Sequence, residues 1–187
     1  GLSGGRVLGA VGHALVHGRL RGQGAGRRLN AALEERLTHY AAAQGLVLEA
    51  FVLESEAAAR FFWDRVGYRW PVGCRYSQPP LRYTEDGAPD LPMIPLLFLL
   101  RHPEHTERIP GPLVREYVEA TLMVWYFEEL AQTLSGAALK RAEDWLMAAV
   151  ITPAVESLVD AQVALRPPGP MADAEVAAWL SVTPDGT

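Results

Sequence analysis

The sequence predicts an α/β fold, a sheet built around a central parallel strand–helix–strand unit and followed by C-terminal helices. Three observations lead there. Residues 6–16 are small, β-branched or apolar and read as a strand. A glycine-rich turn follows, opening a helix over 24–42 with Leu29, Leu33 and Leu37 on one stripe. Gly45 breaks that helix, and residues 46–53 form a nearly unbroken apolar run that fits a strand covered on both faces and parallel to the first.

Within the first strand Gly9 and Gly12 interrupt the pattern, so it is either one bulged strand or two short ones joined at Gly12. Glu49 is the one charge in the second run and reads either as an internal base or, in preference, as a carboxylate near a strand end reaching solvent. Ser55 can cap the next helix, which Gly67 ends. Residues 68–76 and 93–101 then read as the strands of a long hairpin, with Pro79-Pro80 and Glu85-Asp86-Gly87-Ala88-Pro89 between them.

Beyond Pro110 the character changes to helix. Pro112 suits a first turn, and two adjacent apolar rows follow, one through Leu113, Tyr117, Thr121 and Val124, the other through Val114, Val118, Leu122 and Trp125. So broad a stripe needs a cover, which a folded-back helix or a second copy in a homodimer would supply. Ser135-Gly136 separates a second helical stretch, 137–164, bent or broken at Pro153. Residues 166–170, Arg-Pro-Pro-Gly-Pro, read as a stiff linker before a third short helix at 172–180. The expected division is 1–109 and a helical extension, 110–187.

Composition narrows the function. The chain has 187 residues, with 17 basic against 22 acidic and a net charge of −5, which speaks against nucleic acid as a partner. Arg19, Arg21, Arg27 and Arg28 cluster at the glycine turn and point to a small anionic ligand. Cys74 is the only cysteine, so no disulfide framework or thiolate metal site is expected, and a reducing cytoplasm is the simplest compartment. The apolar segment 91–100 is too short and proline-broken to span a bilayer, so a soluble protein is expected. His102 and His105, with Glu104 and Glu107, read as solvated loop residues, not metal ligands.

The turn Arg21-Gly22-Gln23-Gly24-Ala25-Gly26 carries most of the functional signal. Its glycines let backbone N–H groups approach a ligand, and the first turn of the helix adds donors and a favourable dipole for an anion. The dinucleotide fingerprint fails, since its third glycine would fall at Leu29 or Arg27. The Walker form fails because the single lysine, Lys140, lies far away.

The turn with its preceding strand resembles the acyl-coenzyme A loop of the GNAT superfamily of N-acetyltransferases, Arg/Gln-x-x-Gly-x-Gly/Ala after a hydrophobic strand. Downstream, residues 56–68 resemble that family's later helix. Ala59, Phe62, Gly67 and Tyr68 match, whereas Glu56 replaces the usual asparagine and Trp63 the usual tyrosine. The resemblance spans about residues 4–101. It implies a GNAT-like mixed sheet lacking its N-terminal part, and acetyl-coenzyme A as cosubstrate. The pantetheine would pair with the backbone of Leu15, Val16 and His17, and the pyrophosphate would lie on the N–H groups of Gly22, Gln23, Gly24, Ala25, Gly26 and Arg27, with Arg21 and Trp63 beside the ligand. It further implies acetyl transfer to a primary amine, with His13 as the candidate base where family members often carry glutamate. The rival expectation is a non-catalytic acyl-coenzyme A-binding or regulatory module, because an indole cannot replace a phenol as an acid.

Overall fold

The first helix and the second strand follow the sequence pattern to within two residues, but the first strand stops at Val11, well short of the expected residue 16, where its pairing with the second strand ends. The computed structural model describes residues 2–12, 14, 16–158, 162–171 and 174–176. Strand β1 is Arg6–Val11, helix α1 is Ala25–Ala43, and strand β2 is Val47–Ser55. β1 and β2 are parallel, as the strand–helix–strand reading requires. Their register slips by one between Val7 and Leu8, leaving Glu49 without a residue opposite on β1. The bulge anticipated at a glycine of β1 therefore resides on β2.

That extra residue corrects the reading of Glu49 as a solvated carboxylate. Its side chain is only 14% exposed, accepting from Arg6 at 2.8 Å and from the Tyr117 hydroxyl at 3.0 Å. Glu34 on α1 is buried as well. It faces inward, where Asn30, Tyr68 and Arg101 all donate to it. Leu29, expected on the buried stripe, is half exposed.

After β2 come a short 3-10 turn and helix α2, Arg60–Arg65. The Ser55 hydroxyl donates to the Glu56 carbonyl and does not cap this helix. Gly67 (φ +91°) ends it, with the Tyr68 N–H donating to the Trp63 carbonyl.

The long hairpin exists in broken form. Strands β3 (Trp70–Pro71) and β4 (Ser77–Gln78) are separated by a turn at Gly73. β4 pairs antiparallel with β5 (Ile94–Pro95), while Arg69 bridges Leu100 in β6, Leu97–Arg101. β6 lies antiparallel along β2, giving the sheet order β1-β2-β6. Next come β7 (Arg108–Ile109), α3 (Gly111–Leu122), α4 (Glu128–Thr133), α5 (Gly136–Leu146), α6 (Thr152–Val155) and β8, Val163–Arg166. The architecture is thus α+β, with helices and small mixed sheets.

β8 corrects the expected helix over 137–164. Its four residues pair antiparallel with β3 on one side and β7 on the other. The partners lie more than fifty residues upstream, so no local periodicity announces them, and Pro167 and Pro168 end the strand. The linker reading of 166–170 also changes, because a Cβ on Gly169 would lie 2.5 Å from Asp64 Oδ2. Most of the expected third helix lies outside the described residues.

Alternation in the sheet explains the two cores. Ala50, Val52, Phe98 and Leu100 face one side, and Leu53, Leu97 and Leu99 the other. The first side is covered by α3 through Val114, Val118 and Leu122, over which Leu146, Val150, Ile151 and Val155 fold back. The chain itself supplies most of the cover that the apolar rows need, Val124 being the one member of the two rows left exposed. Trp63, Tyr68, Trp70 and Met171 pack on the second side. Cys74 is fully buried, and burial pushes its thiol up to about 12. His102 is also buried, correcting its place among solvated residues. Its Nδ1 accepts the N–H groups of Glu104 and His105 and so shapes the turn after β6.

Candidate functional site

The pairing of β1 with β2 ends at Val11 and Leu53, whereas β2 continues two residues further along β6. Beyond that point Gly12, Ala14 and Val16 line one wall of a cleft of about 990 Å³, and Glu54, Ser55 and Glu56 line another. The volume lies at the upper end of the range for small-molecule sites, about 300–1,000 Å³. Phe62 and Trp63 of α2 and the glycine turn complete it.

The turn is built as its glycines require. Gly22 (φ +76°) and Gly24 (φ +74°) both sit in the left-handed region, and Gly24 is the N-cap of α1. The first helical bond runs from the Arg28 N–H to the Gly24 carbonyl, so the N–H groups of Ala25, Gly26 and Arg27 come before it. All three residues line the cleft, as do Arg21 and Gly22. Side chains hold the turn from outside: Arg21 Nε donates to the Val16 carbonyl (3.2 Å), Gln23 to the Arg19 carbonyl (2.7 Å) and Arg28 to the Gln23 carbonyl (3.0 Å).

Of the residues expected at the cofactor, Val16, Arg21, Gly22, Gly24, Ala25, Gly26, Arg27 and Trp63 line this one cleft. Gln23 and His17 do not. His17 caps the 3-10 turn Gly18–Leu20, its Nδ1 accepting from the Arg19 N–H at 3.3 Å. Gly26 has a second, packing role as well. A Cβ there would point at the Phe62 ring, 2.9 Å away, and at Val16, so its smallness lets α1 pack closely on α2. His13 and Leu15 lie outside the described residues.

Trp63 is 7% exposed and stacks edge to face with Phe62 and Tyr68, their ring centroids 4.8 and 5.3 Å away. It is cleft floor and core together. Tyr68 does not substitute for a phenol in the cleft, because its hydroxyl donates to buried Glu34 at 3.2 Å, and burial raises its pKa further.

A polar group the sequence reading missed stands at Glu54. Tyr76 and Tyr126 both donate to its carboxylate, the latter at 2.6 Å. Among the described residues no three His, Cys, Asp or Glu side chains gather as a metal site, and no described helix is long and apolar enough to cross a membrane. No protein-family model, curated protein or solved structure matches the chain.

Proposed function

We propose that this chain binds acyl-coenzyme A in the manner of the GNAT superfamily and transfers an acetyl group from acetyl-coenzyme A to a primary amine. One observation carries the reading: the glycine turn with its helix start opens into the cleft where two parallel strands part company. The sheet that holds both strands is mixed, with β6 antiparallel to β2, in keeping with the mixed sheet that the resemblance implies.

The fit rests on this chain's own groups. The N–H groups of Ala25, Gly26 and Arg27 are the donors for a pyrophosphate, and open space at Gly22 lets the ligand come close to the backbone. Arg21 and Arg27 add positive charge at an exposed, salt-screened position. The thioester supplies an activated acyl carbon. An acceptor ammonium must shed a proton before attack, and the departing thiolate must gain one from water or be stabilised as the anion by hydrogen bonds. His13 is the proposed proton acceptor. Trp63 cannot act as the acid, so water or a backbone N–H is left to assist the thiolate.

Trp63 also favours a second reading, a binding module without turnover. Calorimetry with coenzyme A separates both from a third outcome, no binding at all. Micromolar affinity, about −8 kcal/mol, is expected. Arg21→Ala should weaken it, and the weakening should shrink as salt is added. Thiol release from acetyl-coenzyme A with an amine panel then decides between transfer and binding alone. Absence of coenzyme A binding by the folded protein contradicts both readings.

A further inference from the structure

Glu54 is the first residue of β2 past its last partner on β1, and it continues the face that carries Ala50 and Val52. That face looks towards the helices after residue 110. Both oxygens are engaged there by phenols, Oε1 by Tyr76 and Oε2 by Tyr126. Burial and the adjacent carboxylate raise both hydroxyls well above the ordinary phenol value. They therefore stay neutral donors near pH 7, orienting the carboxylate without cancelling its charge.

Tyr126 reaches this position through an irregularity. In α3 the inward residues are Val114, Tyr117, Val118, Thr121 and Leu122, and an uninterrupted α-helix would bring Trp125 inward next. The chain instead makes one π-helical turn, Met123–Phe127, whose extra residue shifts the face by one position. Val124 is left 45% exposed, and Tyr126 is buried at 6%. Single π turns are rare in helices and recur at functional sites. Here the turn delivers a hydroxyl to a carboxylate in the cleft wall.

The cleft therefore offers two kinds of charge. Its glycine-turn wall carries Arg21 and Arg27 beside the helix start. The end of β2 carries Glu54 and Glu56, with Arg65 of α2 a further lining cation. We propose that Glu54, braced by Tyr76 and Tyr126, binds the acceptor as a primary ammonium ion, so that the helical segment after residue 110 contributes to acceptor choice. The inference rests on the acyl-transfer reading above. Glu54 is the acceptor-binding group, and the two tyrosines are positioning residues.

The test uses the full chain, with calorimetry for coenzyme A and thiol release from acetyl-coenzyme A for transfer to putrescine, tyramine and a tripeptide with a free N-terminus. Glu54→Gln and Tyr126→Phe should bind coenzyme A within about twofold of the unaltered protein, which also reports that they fold. Each should raise the amine KM at least tenfold while kcat changes less, and Glu54→Asp should recover part of the loss. An unchanged amine KM in both Glu54→Gln and Tyr126→Phe overturns the acceptor site and leaves the acyl-transfer reading standing. Failure of every amine to stimulate thiol release from a protein that binds coenzyme A overturns the acceptor site together with acyl transfer, and the non-catalytic reading takes over. If the unaltered protein does not bind coenzyme A, the acyl-transfer reading fails first and takes the acceptor site with it.

Discussion

Gly24→Val is expected to abolish coenzyme A binding while the protein stays folded. Gly24 has φ +74°, and a side-chain-bearing residue in the left-handed region costs about 1–2 kcal/mol, more for a β-branched one. The new Cβ would lie 3.3 Å from Arg28 Nη1, the group that secures the Gln23 carbonyl. The turn must then rearrange, and the N–H groups of Ala25, Gly26 and Arg27 lose their common direction. The rest of α1 is held elsewhere, by Glu34 with Tyr68 and Arg101 and by buried Ala41, so the damage stays local. Calorimetry should show a loss of at least about 100-fold, or roughly 2.8 kcal/mol, with the far-ultraviolet spectrum preserved. Gly26→Val should behave differently, lowering stability first, because its Cβ meets the Phe62 ring. Full affinity in a folded Gly24→Val protein would remove the turn from the binding site.

The second large effect is on stability. Gly87→Ala places a Cβ 2.1 Å from the Ala138 carbonyl oxygen in α5, at a residue with φ +87°. Neither part is easily relieved. The turn is closed by Thr84, which pairs with Ala88 through its backbone and side chain, and Arg141 fastens it to α5 by donating to the Asp86 carbonyl at 2.6 Å. Backbone strain of about 1–3 kcal/mol and overpacking of about 1–3 kcal/mol together give roughly 2–6 kcal/mol. At about 2–4 °C per kcal/mol for a chain of this size, the melting point should fall by roughly 4–24 °C. A melting point unchanged within a degree would mean that the turn does not rest on α5.

What the sequence disclosed, and what it withheld, follows from the range of the interactions. The parallel unit is legible because each part carries its own signal: a glycine before a helix, a break at Gly45, an apolar run of strand length. Pro112 in the first turn of α3 and Gly67 after α2 are local signals of the same kind. The burial of Glu34 and Glu49 leaves no local signal, because their partners are distant in sequence. Arg101 lies 67 residues from Glu34, and Tyr117 lies 68 from Glu49. β8 was hidden for the same reason, since a four-residue strand is defined by β3 and β7 more than by its own residues.

The site divides along the same line. Its glycine turn is contiguous and was legible, whereas Glu54 joins Tyr76 and Tyr126 across 22 and 72 residues. One signal for Tyr126 existed and pointed the wrong way. The apolar rows of α3 run smoothly to Val124 and Trp125, and only the π turn moves Tyr126 inward. Such a turn adds one residue without changing composition, so a periodicity reading runs straight through it.

In the proposed complex coenzyme A lies on the start of α1 and between the parting ends of β1 and β2. Titration of the nitrogen-15-labelled protein with coenzyme A, followed amide by amide, tests it most directly. The largest shifts are predicted at Gly22, Gly24, Ala25, Gly26 and Arg27, with a second group at Glu54, Ser55 and Glu56 and little change in α5. Shifts confined to other surfaces, or a glycine turn that does not respond at millimolar coenzyme A, would contradict the account.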